Sequence, residues 1–313
     1  MAVVALAGGI GAARFLTGLV QVVDPADLTV VVNTGDDIEL HGLRVSPDLD
    51  TVTYTLGGGV DPEQGWGRAD ETLAVARELR DRYGRPDWFT LGDRDLATHL
   101  VRTEILGGGG TLSEATAVIA AAWAVGPRLL PMTDDPVQTR ILTRDGRDLH
   151  FQRWWIAEGA DPAVSEVALH GAEDARPAPG VLEAIGRSEV VLLCPSNPVV
   201  SIGTILAVPG IRDALRAATV VGVSPIVGGR VVRGMADRLL PAVGAETSAA
   251  GVASLYADLL DGWVIDQADA AAAADLRAAG LAVAVTDTIM RSPAVAAALA
   301  RVALDLAVGG GRS

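Results

Sequence analysis

The chain has 313 residues, half of them hydrophobic, with 39 acidic side chains against 25 basic ones and a formal charge of −14. That balance excludes a broad binder of nucleic-acid backbone, which works by setting many cations against phosphates. Lys is absent, so a Walker lysine and a Schiff-base lysine are excluded too. Any charged contact to a phosphate falls to an Arg fork or to backbone amides.

In chain order, Met1 to Ala7 reads as a buried first strand running straight into a glycine-rich turn, not as a removable leader. Further apolar runs rich in Val, Leu and Ile predict strands over 28–32, 88–91, 190–194, 219–223 and 281–285. Helical patterns fill the gaps over 12–22, 70–83, 112–125, 181–186, 247–260 and 293–306. Alternating buried strands and helices predict an α/β fold with a mostly parallel sheet and helices on both faces. Between about 93 and 179 the strand rhythm is lost, and 140–156 reads as a charged hairpin ending in Phe151-Gln152-Arg153-Trp154-Trp155. The expected organisation is a core at 1–92 and 180–308, an inserted, more helical substrate-binding subdomain at 93–179 and a flexible tail at 309–313. No apolar stretch is long enough to span a bilayer. The lone Cys194 excludes a disulfide framework and a cysteine zinc site. The expectation is a soluble cytoplasmic protein.

Three loops carry chemistry. The first, Ala7-Gly8-Gly9-Ile10-Gly11-Ala12-Ala13-Arg14, follows a strand and opens a helix, the context in which backbone amides and the helix N-terminus cradle an anion. Arg14 stands where a dinucleotide fingerprint has its third glycine, and the second strand lacks the lone acid that holds a ribose, which disfavours a nicotinamide-dependent dehydrogenase. The second loop, Asn33-Thr34-Gly35-Asp36-Asp37, continues to Ser46-Pro47-Asp48-Leu49-Asp50-Thr51 and gathers Asp36, Asp37, Asp48 and Asp50 after a buried strand. Mg²⁺ takes one or two carboxylates plus substrate phosphates, so these four form a ligand pool; turn and cap roles are the competing assignment. The third, Cys194-Pro195-Ser196-Asn197-Pro198-Val199-Val200-Ser201-Ile202-Gly203, offers donors and acceptors suited to a base or ribose, or to capping a helix. All three follow strands and should open on one sheet edge. Asp93 and His99 can bind a polar ligand or exchange a proton, although Asp95 and His99 also sit at helical pairing distance. Asp134 and Asp135 read equally as a cap pair. No Ser/His/Asp arrangement supports a hydrolytic triad.

Together with Tyr54-Thr55-Leu56-Gly57, Asp93 to His99, Asp134 to Thr139 and Thr286-Asp287-Thr288, these motifs resemble the 2-phospho-L-lactate transferase family of coenzyme F420 biosynthesis, from the first strand to the last. Cys194 departs from the family, which often has glycine before the proline. The resemblance implies a Rossmann-like core, Mg²⁺ and a homodimer. The implied activity moves a phospholactyl or phosphoenolpyruvyl group from a guanosine diphosphate-linked donor to the terminal ribityl hydroxyl of the deazaflavin Fo, releasing GMP. On that basis Asp48 and Asp50 are expected to hold metal, and Asp36 or Asp37 to position the hydroxyl or take its proton. Gly9, Gly11 and Arg14 are expected to hold phosphate, and Ser196, Asn197, Ser201 and Gly203 the guanosine part. Trp88, Asp93, His99 and Asp135 are expected around the deazaflavin. The alternative is a regulator of the same superfamily that binds a uridine diphosphate sugar, against which the acidic cluster weighs.

Overall fold

A strand buried on both faces needs apolar side chains on both, and short aliphatic runs of that kind build the central sheet. The computed structural model, which describes residues 1–309, aligns seven of them: β1 (Val3–Ala7), β2 (Leu28–Val32), β3 (Arg128–Pro131), β4 (Val190–Leu193), β5 (Val220–Val223), β6 (Gly262–Asp266) and β7 (Ala282–Thr286). Their order is β7-β6-β5-β4-β1-β2-β3, and every pairing is parallel. The chain builds outward from β1 through β2 to β3, then returns to lay β4 along the other side of β1. That reversal opens a crevice at the carboxyl ends of β1 and β4, where sheets of this type take ligands.

Alternation along β1 sends Val3, Ala5 and Ala7 to one face and Val4 and Leu6 to the other. The first face is covered by α1 (Gly9–Leu19) and the C-terminal helix Pro293–Gly309, through Phe15, Leu16, Leu299 and Ala300. The second packs on the segments after β3, β4 and β5, including Trp154, Ile202 and Leu239. The expected hairpin is present: Gln138–Thr143 pairs antiparallel with Asp148–His150 and with Val164–His170.

Several elements differ from expectation. The run at 88–91 forms no strand; Leu91 instead joins Leu40 and Val45 in a small separate cluster, with Trp88 and Phe89 against it. β3 lies inside the stretch expected as an insert, so the sheet is left and regained twice, between β2 and β3 and again between β3 and β4. β6 escapes the sequence pattern because Gly262 and Asp266 break its apolar run, and the predicted helix over 247–260 shrinks to Ala249–Ser254. The sequence pattern does not show α2 (Pro47–Leu56), hidden among its Asp and Thr residues, α3 (Asp95–Gly107), or the short helices Ile211–Arg216 and Ala236–Leu239. Gly309 ends the last helix; the rest of the expected flexible tail, 310–313, lies outside the described residues. Among the described residues no helix is long and apolar enough to cross a membrane.

Leu6 sits at the centre of the sheet with no exposed surface. Leu6→Ala is predicted to cost about 3 kcal/mol, read as a lower urea midpoint at unchanged slope. A loss below about 0.5 kcal/mol would place that side chain outside a packed core.

Candidate active site

The crevice begins where β1 ends. Gly9 adopts a left-handed φ of +67° and starts α1 at once, while a Cβ on Gly11 would lie 2.2 Å from the Pro195 carbonyl oxygen. Only glycine permits both the turn and the approach. The Gly8 amide donates to Ser196 Oγ at 3.2 Å, which joins the loop after β1 to the loop after β4. In that second loop Asn197 Oδ1 accepts from the Val199 and Val200 amides at 3.0 and 3.2 Å, capping the turn Pro198–Ile202. The capping role considered for this loop is thus real, and Ser196, Asn197 and Ser201 still line the crevice.

The acidic floor is assembled by Asn33, fully buried at the end of β2. Its Nδ2 donates to Asp48 Oδ2 at 2.9 Å and to the Val200 carbonyl at 3.1 Å; its Oδ1 accepts from the Gly35 amide at 3.0 Å. Asp48 and Asp50 occupy the first turn of α2, where the helix dipole favours carboxylates. Two positions apart on a helix means opposite sides, about 200° around the axis. Asp48 therefore turns to Asn33, while Asp50 turns to α3, where both its oxygens accept from Arg102. His99 Nδ1 lies 3.6 Å from Asp50 and its Nε2 lies 3.1 Å from Asp95, which also accepts from the Tyr54 hydroxyl. Asp95 and His99 thus pair along one helix face, as their spacing allowed.

Burial dominates the electrostatics. Burial first, and then the neighbouring Asp48 carboxylate, push Asp36 well above the usual carboxylate range. Burial raises Asp48 to about 6 against its hydrogen bond from Asn33. Asp37 is raised to about 8, burial outweighing the Ser46 hydroxyl, which donates to it at 2.5 Å, and the charge of Arg102. Asp36 Oδ1 is buried without a hydrogen-bond partner among the described residues.

Above this floor opens a cavity of ≈ 550 Å³. Its apolar lining includes Phe89, Phe151, Trp155, Ile156, Met235, Ile289 and Trp66, and among the described residues Arg14 and Arg233 bring the only guanidinium groups. Of the residues expected at the site, Asp36, Asp48, Asp50, His99, Gly9, Gly11, Arg14, Ser196, Asn197 and Ser201 line it. Asp37, Trp88, Asp93, Asp135 and Gly203 do not. Asp93 accepts from Thr72 Oγ1 and from the Ala74 and Val75 amides, fastening the start of the helix Ala74–Asp81. Asp135 pairs with Arg176, and Gly203 borders a smaller apolar cavity behind the loop. Sequence reasoning missed Arg102, Arg233, Phe89 and Tyr54 as a hydroxyl donor; the i, i+3 placement of Arg102 after His99 was the one local signal for the first of them. Among the described residues no group of three His, Cys, Asp or Glu side chains is arranged to hold a metal alone. A hard cation sharing its shell with phosphates needs only one or two carboxylates, and Asp36 and Asp48 meet that demand.

A doubly wound sheet whose switch point joins a glycine-rich turn to buried carboxylates defines a Rossmann-like α/β enzyme. The family described as 2-phospho-L-lactate transferase CofD matches residues 3–301, and the chain belongs to that family. It is a transferase of the 2-phospho-L-lactate or phosphoenolpyruvate type. It is 54% identical to the phosphoenolpyruvate transferases of Streptomyces griseus and Thermobifida fusca, over 98% of each chain. Against the phosphoenolpyruvate transferase of Mycolicibacterium smegmatis it is 44% identical, covering 98% of this chain and 99% of that one. Among solved structures, a UPF0052 family member from Bacillus halodurans superposes with a TM-score of 0.65 at 16% identity, over 96% of this chain and 98% of that one. That likeness establishes the fold.

The raised Asp37 gives a pH test. Unfolded, this carboxyl titrates near 3.8; folded, near 8. The folded state thus binds the proton more tightly, and the stability it contributes declines as pH climbs from about 4 to about 8. Thermal melts from pH 6 to pH 8 should fall more steeply for the unmodified protein than for Asp37→Asn. Parallel curves would remove Asp37 from the account.

Proposed function

We propose that the chain transfers a phosphoenolpyruvyl group from a guanosine diphosphate-linked donor to the terminal ribityl hydroxyl of the deazaflavin Fo, with release of GMP, in coenzyme F420 biosynthesis. The observation that carries this reading is the meeting of the glycine-rich turn with Asp36 and Asp48 beneath an apolar-walled cavity large enough for a ring system. The names of the relatives favour enolpyruvate over lactate.

In this reading the acceptor oxygen bonds to the phosphorus bearing the three-carbon acid, the bond from that phosphorus to the oxygen of GMP breaks, and the hydroxyl proton passes to water. Such a transfer needs positioning and charge stabilisation rather than a covalent intermediate. The amides of Gly9 and Gly11, at the start of α1, receive the donor's phosphates. Ser196, Asn197 and Ser201 face the nucleoside. Mg²⁺ when bound supplies charge neutralisation for the phosphates, and Asp36 and Asp48 would hold it. Asp36 is preferred to Asp50 here because Arg102 already engages both oxygens of Asp50. Asp50, held rigid by that fork, orients the acceptor hydroxyl with its remaining lone pairs. The aromatic wall of Phe89, Phe151 and Trp155 excludes water and receives the deazaflavin ring.

Two measurements test the reading. With Mg²⁺ present, GDP at about a hundred times its dissociation constant should add roughly 2.7 kcal/mol of stability, and Fo should add more. Stabilisation by a uridine diphosphate sugar, with none from GDP or Fo, would instead support the regulatory alternative. Asp48→Asn should lower GMP release by at least about a hundredfold while the fold survives, comparable to losing one strong electrostatic contact in a transition state. Retained turnover would exclude Asp48 from the reaction.

A further inference from the structure

The cavity is acidic on its floor and almost uncharged on its walls. In a chain without Lys, Arg14 and Arg233 are the only arginines among the described residues that line it. They come from distant parts of the fold. Arg14 lies on α1, and Arg233 follows the small antiparallel ribbon of Ile226–Val227 with Arg230–Val231. Both nevertheless reach one point: the position a Cβ would take on Gly65 lies 3.4 Å from Arg14 Nη2 and 3.6 Å from Arg233 Nη1. Other arginines of the chain, such as Arg102, Arg140, Arg212 and Arg216, are tied to carboxylates. Arg14 and Arg233 have no such partner among the described residues. Two like charges held together without a counterion repel, and partial burial followed by the charge of Arg14 pulls the Arg233 guanidinium below its ordinary value. An oxyanion placed between them removes that repulsion and receives donors from two planar forks.

We propose that Arg14 and Arg233 form a two-armed clamp beneath the turn at Gly65 that binds an oxyanion of the transferase's donor. Arg233 is the new element, and the identity of the donor rests on the function proposed above. An anion with two or more negative oxygens, a phosphate or the carboxylate of the three-carbon acid, is the chemistry these two groups recognise.

The test is calorimetric titration of the full chain with inorganic diphosphate and with GDP, each with Mg²⁺, followed by steady-state GMP release from the donor. The proteins are the unmodified chain, Arg233→Gln, Arg233→Lys, Arg14→Gln and the double variant Arg14→Gln with Arg233→Gln. Arg233 is exposed, so its variants should melt like the unmodified protein without ligand. If a phosphate sits in the clamp, Arg233→Gln should weaken diphosphate and GDP about tenfold or more, Arg233→Lys should restore part of the loss, and the double variant should deviate from additivity. If the carboxylate sits there, diphosphate and GDP affinities should stay constant while the KM for the donor rises by a similar factor at constant kcat. Unchanged diphosphate, GDP and donor constants in Arg233→Gln would overturn the clamp. An unmodified protein that binds diphosphate in an Arg233-dependent way yet releases no GMP would overturn the proposed reaction and leave the clamp standing.

Discussion

The primary amide of Asn33 ties its own loop to two segments that have no covalent reason to meet it. It bonds at once to the Asp48 carboxylate on α2, to the Val200 carbonyl in the loop after β4, and to the turn at Gly35. A buried amide with all these partners fixes one arrangement of the crevice, because any other leaves buried polar groups unsatisfied at about 1–3 kcal/mol each. The Gly8 to Ser196 bond closes the same junction from the β1 side. The position of the acidic floor relative to the glycine-rich turn therefore follows from a handful of short-range polar contacts supported by a largely apolar sheet.

Charge on that floor is only partly balanced. Arg102, almost wholly buried, neutralises Asp50, and His99 lies between Asp50 and Asp95. Removing either partner from such a buried pair strands a charge, a far larger penalty than the pair's net contribution. Asp36, Asp37 and Asp48 lack an equivalent cation, and all three are driven toward the protonated form by burial. The paired Asp50 is the rigid member and the others are the responsive ones.

The rest of the cavity divides labour by element. The sheet and its first turns carry the polar groups, whereas the excursions between strands carry the aromatic wall: Phe89 from the segment before α3, and Phe151 and Trp155 from the hairpin after β3. Rigid elements hold the polar geometry, and loops anchored in small hydrophobic clusters shape the apolar side. This arrangement lets the scaffold keep its chemistry while loop residues alter which ring or chain is admitted.

The sequence by itself determined the strand–turn–helix at Ala7 to Arg14, the aliphatic strands around it and the concentration of acids from Asp36 to Asp50. Each is written in local composition and in a period of two or of 3.6, which neighbouring residues suffice to impose. It could not reveal β3, whose four residues carry an Arg and a Pro and acquire strand form only by pairing with β2. Nor could it separate Asp48 from Asp50, two residues apart, one turned to Asn33 and the other to Arg102 on a helix far along the chain. Asp93 and Asp135, which looked equally suited to a site, spend their oxygens on a helix start and on Arg176. Tertiary structure alone decided which acids face the cavity and which arginines stand over it, because those partners are brought together by the folded sheet and leave no periodic trace along the chain.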